Sequence, residues 1–164
     1  MILSVSRRTD IPAFYPKWFV NRVREGFVYV RNPFNANQIS RIPLGEDIVD
    51  CVVFWSKNPE PMLACLPEIS ERYHGAFYFQ YTVNAYGRDM EPGVPELSQR
   101  LDTFKRLSDA CGPERVVWRY DPILLTETYS AAWHRNRFER IFDELRSCTD
   151  TCVISFVDLY DKTI

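Results

Sequence analysis

Short apolar runs rich in β-branched and aromatic residues recur along this chain, at residues 2–6, 27–30, 51–55, 76–81, 115–119 and 152–157. Near-continuous apolar runs of this length suit strands covered on both faces, as in parallel sheets. Parallel strands need crossover connections, and amphipathic segments fill the gaps between the runs. The alternation predicts an α/β fold. Hydrophobic residues make up 46% and charged residues 26% of the chain, the balance of a globular domain, which excludes a disordered tail or a collagen-like repeat.

The clearest helix is predicted over 96–110, where Leu97, Leu101, Phe104 and Leu107 mark one face and Gly112-Pro113 ends it. A second covers 130–148 with Phe138, Ile141, Phe142 and Leu145 on one stripe. A third spans 16–24, entered at Pro16 and closed by Gly26, and a fourth spans 60–73, where Pro67 kinks or restarts it. Residues 38–44 add a short extra strand within an irregular stretch.

Polar residues cluster after every predicted strand: Arg7-Arg8-Thr9-Asp10, Arg31-Asn32-Pro33, Ser56-Lys57-Asn58-Pro59, Thr82-Val83-Asn84, Arg119-Tyr120-Asp121-Pro122 and Asp158-Leu159-Tyr160-Asp161. A (β/α)8 barrel brings all its strand ends to one face, whereas a doubly wound sheet gathers ligand groups near one switch point. No G-x-G-x-x-G and no G-x-x-x-x-G-K-[ST] occurs. The expectation is an incomplete TIM barrel with about six parallel strands, residues 1–164 forming one partial (β/α)-barrel domain. A full barrel takes about 250 residues. The chain stops just after its sixth run, so it is expected to be the N-terminal portion of a longer protein; the other reading is an open edge covered by another chain.

Twenty Lys+Arg stand against 22 Asp+Glu, a net charge of −2, which argues against a general nucleic-acid binder but leaves a local basic patch open. The apolar runs are far too short to span a bilayer, and no signal peptide precedes Arg7-Arg8. Five cysteines in a chain of this size read as reduced thiols in a cytoplasm rather than a disulfide framework. His74 and His134 lack metal-ligand spacing, and no metal site is expected. His134 shares the stripe of Phe138, Ile141 and Leu145, where packing explains it better than catalysis.

The segments Ser6-Arg7-Arg8-Thr9-Asp10-Ile11-Pro12, Arg31-Asn32-Pro33, Phe54-Trp55-Ser56-Lys57-Asn58-Pro59, Gln80-Tyr81-Thr82-Val83-Asn84 and Arg119-Tyr120-Asp121-Pro122-Ile123 together resemble the microbial proteins grouped as domain of unknown function 1848. The resemblance covers essentially the whole chain. It implies a barrel related to the radical S-adenosylmethionine enzymes, with a cysteine cluster near the C-terminus of the complete protein. For a full-length parent it implies S-adenosylmethionine and a 4Fe-4S cluster as cofactors, and radical chemistry only where that cysteine cluster is supplied. Cys148-Thr149-Asp150-Thr151-Cys152 holds only two cysteines at the start of a strand, so no cofactor is expected in this chain.

Candidate site residues come from the strand ends. Arg7 and Arg8 form an anion clamp with Asp10 orienting one of them, or else a surface ion pair. Lys57 and Asn58 contact an anionic ligand, or Lys57 is a solvated loop cation. Arg31 adds charge. Arg119 holds substrate while Asp121 moves a proton, or the two form an internal salt bridge across the mouth. Gln80, Thr82 and Asn84 supply neutral hydrogen bonds, to a ligand or to one another. Asp10, Lys57 and Asp121 are thus the candidate catalytic groups. Arg7, Arg8, Arg31, Asn58, Gln80, Asn84 and Arg119 are the candidate ligand-binding groups.

The leading expectation is an anionic or nucleotide-like small molecule bound at the strand ends. The alternatives are a non-catalytic domain that self-associates through its open edge, and a nucleic-acid-processing enzyme.

Overall fold

The computed structural model describes residues 1–6 and 8–157. Strand β1 (Ile2–Val5) leads into a short helix α1 (Ile11–Phe14) and then α2 (Pro16–Glu25). The Asp10 side chain caps α1 by accepting from Ala13 N–H, Pro16 sits in the first turn of α2, and Gly26 ends α2 in the left-handed region at φ 77°. Strands β2 (Phe27–Arg31), β3 (Ile39–Pro43) and β4 (Cys51–Ser56) follow. The predicted helix over 60–73 is divided into a 3-10 segment, Glu60–Cys65, and α3 (Leu66–Arg72), with Pro67 in the first turn of α3. Next come β5 (Phe77–Thr82), α4 (Leu97–Cys111), β6 (Val116–Ile123), α5 (Ala131–Leu145) and β7 (Cys152–Phe156).

The main sheet has five strands in the order β1-β4-β5-β6-β7, every neighbouring pair parallel. The expected count of about six parallel strands is corrected here. β2 pairs antiparallel with β3 in a separate two-stranded sheet, from Phe27↔Pro43 to Arg31↔Ile39. The reason is local. Asn32–Gln38 reverses the chain through bonds such as Asn32 N–H to the Gln38 carbonyl (2.9 Å), and so short a connection allows only antiparallel pairing. Exposure agrees, since Tyr29 is 63% exposed on this hairpin. The extra strand expected over 38–44 is β3.

Register places Val52 and Phe54, Phe77, Phe79 and Tyr81, and Trp118 and Tyr120 on one face of the sheet. That face holds the core. Phe54 stacks on Phe79 (centroids 4.8 Å apart), Tyr81 on Phe104 of α4 (5.3 Å), and Trp118 on Phe138 of α5 (4.8 Å). Burying each such ring contributes about 1.5–3 kcal/mol. The opposite face carries Trp55, Gln80, Thr82, Arg119 and Asp121 toward the C-terminal ends of the strands, none of them fully buried. Helices α4 and α5 thus pack on one face, and polar side chains line the other toward the strand ends.

Candidate functional site

β1 and β4 run side by side, so Asp10, just past β1, meets Ser56 and Lys57 at the end of β4. The Asp10 carboxylate accepts from the Ser56 hydroxyl (2.8 and 2.9 Å), from Lys57 N–H (2.8 Å) and from Ala13 N–H (3.0 Å). Its acceptor capacity goes to these donors. These bonds tie the Asp10 side chain to the backbone of Lys57.

Lys57 Nζ pairs with Glu91 Oε1 from the loop before α4, and Glu91 Oε2 lies 3.8 Å from Arg100 Nη1. Beside Lys57 opens a cleft of about 390 Å³, with Ser6, Trp55, Asn58 and Thr82 among its walls and Val94-Pro95 across from them. Its size falls within the usual range for small-molecule sites, about 300–1,000 Å³.

β6 is longer than expected, reaching Ile123, so Arg119 and Asp121 both lie within it and on one face. Arg119 Nε donates to Asp121 Oδ1 (3.0 Å), its Nη2 pairs with Oδ2, and its Nη1 donates to Gln80 Oε1 (3.2 Å). The guanidinium lies 5.0 Å from the centroid of the Trp55 ring, and Trp55 Nε1–H donates to Ser4 Oγ (3.2 Å). Ser155 Oγ–H reaches Asp121 Oδ2 at 3.4 Å. Asn84 is 1% exposed; its amide donates to the Asp121 carbonyl (3.5 Å), and its Oδ1 has no hydrogen-bond partner among the described residues. Arg119, Asp121, Gln80 and Asn84 are thus brought together.

Arg8 and Arg31 go elsewhere. Arg31 ends a hairpin strand, and the Arg8 guanidinium donates to its carbonyl. Both line a different cleft of about 900 Å³ whose walls include Trp18, Tyr29 and Phe34. The expected single mouth with all the arginines is therefore not formed, because β2 left the parallel sheet. Arg7, and the cluster of Asp158, Tyr160 and Asp161, lie outside the described residues.

Sequence reasoning missed Glu91 and Arg100. Arg100 was legible: it falls three residues after Leu97 and four before Phe104, on the buried stripe of α4, where a cation needs a reason. Glu91 sits in a loop with no periodicity, and nothing in the sequence pairs it with Lys57. His134 is a brace, as its stripe suggested. Its Nε2–H donates to the Leu124 carbonyl (3.0 Å), and Nδ1 accepts from the Tyr120 hydroxyl (2.9 Å).

The sequence model of the family described as "Domain of unknown function (DUF1848)" matches residues 2–164. This chain belongs to the DUF1848 family. No curated protein matches it. Among solved structures, the DUF1848 chain is similar to a spore photoproduct lyase double mutant with bound AdoMet and dinucleoside spore photoproduct. The TM-score is 0.61 at 12% identity, over 99% of this chain and 43% of that one. The likeness is one of fold, and this chain spans less than half the length of that protein.

The cysteines of the DUF1848 chain do not fit an iron–sulfur cluster. Among the described residues no group of three or more His, Cys, Asp or Glu could hold a metal ion. Cys51 and Cys152 begin their strands and Cys111 ends α4, away from the strand ends that form the cleft. Burial pushes the Cys111 thiol up to about 11, the opposite of the low value a thiolate ligand has.

Proposed function

We propose that the DUF1848 chain is the N-terminal part of a radical-SAM-like TIM barrel, and that its cleft binds an anionic or nucleotide-like small molecule. The observation that carries this is the pairing of Trp55 with Lys57 in a cleft of about 390 Å³ at the C-terminal ends of β1, β4 and β5. Trp55 offers a stacking face for a planar ring, and Lys57 a cation for a carboxylate or phosphate. Ser6 and Thr82 supply neutral donors and acceptors. Asp10 holds Lys57 in place. Arg119 and Asp121, on the same face of the sheet, serve as the substrate-holding and proton-moving pair. The structural neighbour's bound AdoMet favours an adenosine-containing ligand. No helix among the described residues is long and apolar enough to cross a membrane; a cytoplasmic location is part of the proposal.

Calorimetric titration with AdoMet and with AMP tests it. Saturable binding of either is expected, with Trp55→Ala and Lys57→Met each weakening it at least about tenfold, or 1.4 kcal/mol. Absence of binding by both ligands refutes the reading.

A second reading is favoured by one observation. Ile154 and Phe156 are 57% and 60% exposed on the edge strand β7, on the face that elsewhere in the sheet is covered by helices. An apolar strip on a strand that ends the sheet among the described residues suits self-association. Concentration-dependent dimers that Ile154→Lys abolishes would support a non-catalytic interaction domain.

A further inference from the structure

Arg100 is the fourth residue of α4 and is 3% exposed. Its Nε and Nη1 have no hydrogen-bond partner among the described residues, and the carboxylate nearest to Nη1, Glu91 Oε2, stands 3.8 Å away, itself without a hydrogen bond. A buried guanidinium is a demanding group, with five donors in a fixed fork. Leaving donors unmet in a low-dielectric site is costly, so such a group marks a place where something polar belongs.

Arg100 lines a cavity of about 200 Å³, and two more guanidinium side chains, Arg88 and Arg137, line it as well. Two carboxylates are also in the wall, and both are engaged. Glu91 Oε1 is held by Lys57, while Glu96 Oε1 accepts from Arg88 (2.9 Å) and its side chain caps the α4 amide of Gln99. Lys57 balances Glu91 from the far side, which leaves the cavity with a surplus of positive charge. At about 30 Å³ per water, the space takes several waters or one tetrahedral oxyanion. Val94 and Pro95 line both this cavity and the cleft beside Lys57, so the two are neighbours across one short wall.

We propose that this cavity is a binding site for a phosphate-class oxyanion, with Arg100 as its buried anchor and Arg88 and Arg137 at its mouth. The buried Arg100 guanidinium adds its charge to the wall of the cavity, and Arg88 and Arg137 add two more forks of the kind that recognise phosphate. The site is distinct from the cleft of the proposed function, which it adjoins. Free phosphate and the phosphoryl group of a ligand lodged in that cleft share this chemistry.

Calorimetric titration of the intact chain with inorganic phosphate, at fixed ionic strength and with chloride as control, tests the proposal. Saturable phosphate binding without a chloride response is expected, weakened at least tenfold by Arg137→Gln and by Arg100→Gln. Should Arg100→Gln fail to fold, the partly exposed Arg137 carries the comparison alone. Trp55→Ala strips a wall of the first cleft and leaves the phosphate titration as in the parent. AMP separates the sources. If AMP binds at least tenfold more tightly than phosphate and loses that gain in both Trp55→Ala and Arg137→Gln, the oxyanion is the end of a ligand spanning both sites. If AMP binds no more tightly than phosphate, the site takes the free ion. Absence of phosphate binding, or binding that Arg137→Gln leaves intact, overturns the proposal. Loss of phosphate binding in Trp55→Ala alone also overturns it, by placing the anion in the first cleft.

Discussion

The carboxylate of Asp10 accepts the backbone N–H of Lys57 at 2.8 Å, and this bond fastens the loop after β1 to the loop after β4. The same carboxylate takes the Ser56 hydroxyl and caps α1. One side chain thus sets the floor of the cleft and the start of a helix together.

Asp10→Ala is expected to cost about 2–4 kcal/mol. Losing the cap removes about 1 kcal/mol, and leaving the Ser56 hydroxyl and Lys57 N–H unmet adds about 1–3 kcal/mol. Asp10→Asn keeps an acceptor and costs less. Urea unfolding measures both, and an alanine variant within about 0.5 kcal/mol of the parent would show that the latch contributes nothing.

Arg119 and Asp121 are 19% and 12% exposed at their side chains, and each is the other's charge partner. Arg119→Met leaves a half-desolvated carboxylate, and Asp121→Asn leaves a cation with only neutral acceptors and the Trp55 ring. A double-mutant cycle by denaturant unfolding is expected to return a coupling of about 1–3 kcal/mol. Additive single effects would mean that the pair is solvated and independent.

Glu91 competes with any anionic ligand for Lys57. Glu91→Gln keeps the shape of the loop and removes the competing charge. Calorimetry with AMP should show binding several-fold tighter in Glu91→Gln than in the parent. Equal or weaker binding would mean that Lys57 does not meet the ligand.

Alkaline pH should destabilise the fold. Burial pushes the Cys111 thiol up to about 11 and the Tyr120 hydroxyl up to about 12, and raises Tyr81 as well. In the unfolded chain these groups ionise near their ordinary values, 9.0 for the thiol and 10.0 for the phenols. The unfolded state therefore loses these protons first, and stability falls as pH rises through that window. The contribution is whole below pH 9 and is lost by about 11 for Cys111 and about 12 for Tyr120, at about 1.4 kcal/mol per decade for each proton. Urea midpoints from pH 8 to 11 check it, and Cys111→Ala should flatten the first part of the fall.

Much of this architecture was legible because its signals are local. Apolar runs announced all five strands of the main sheet, and the stripe through Leu97, Phe104 and Leu107 announced α4. The misassigned strand, Phe27–Arg31, has the same composition as the others. What separates it is the partner it finds a few residues later, a relation that one run cannot display. Lys57, Arg119 and Asp121 were singled out because strand ends carry ligand chemistry in parallel sheets. Their pairing was not legible. Whether Lys57 faces a ligand or Glu91 depends on how a loop of irregular backbone folds back, and no periodicity governs that.

The hairpin of β2 and β3 has a consequence for the connectivity of the chain. β1 and β4 are bonded neighbours, yet the stretch from Ser6 to Asp50 lies between them. Closing a flexible loop of that length costs roughly 3 kcal/mol of chain entropy. The hairpin shortens it. Leu44 N–H donates to the Gly26 carbonyl at 2.8 Å, so the two ends of the hairpin are stitched to each other. Everything between Gly26 and Leu44 is then bypassed, and the loop that β1 and β4 must close is only what remains. The segment that imitates a strand of the main sheet acts on the chain as a splice, and residues added at its tip, near Phe34, would leave the distance between β1 and β4 along the shortened path unchanged.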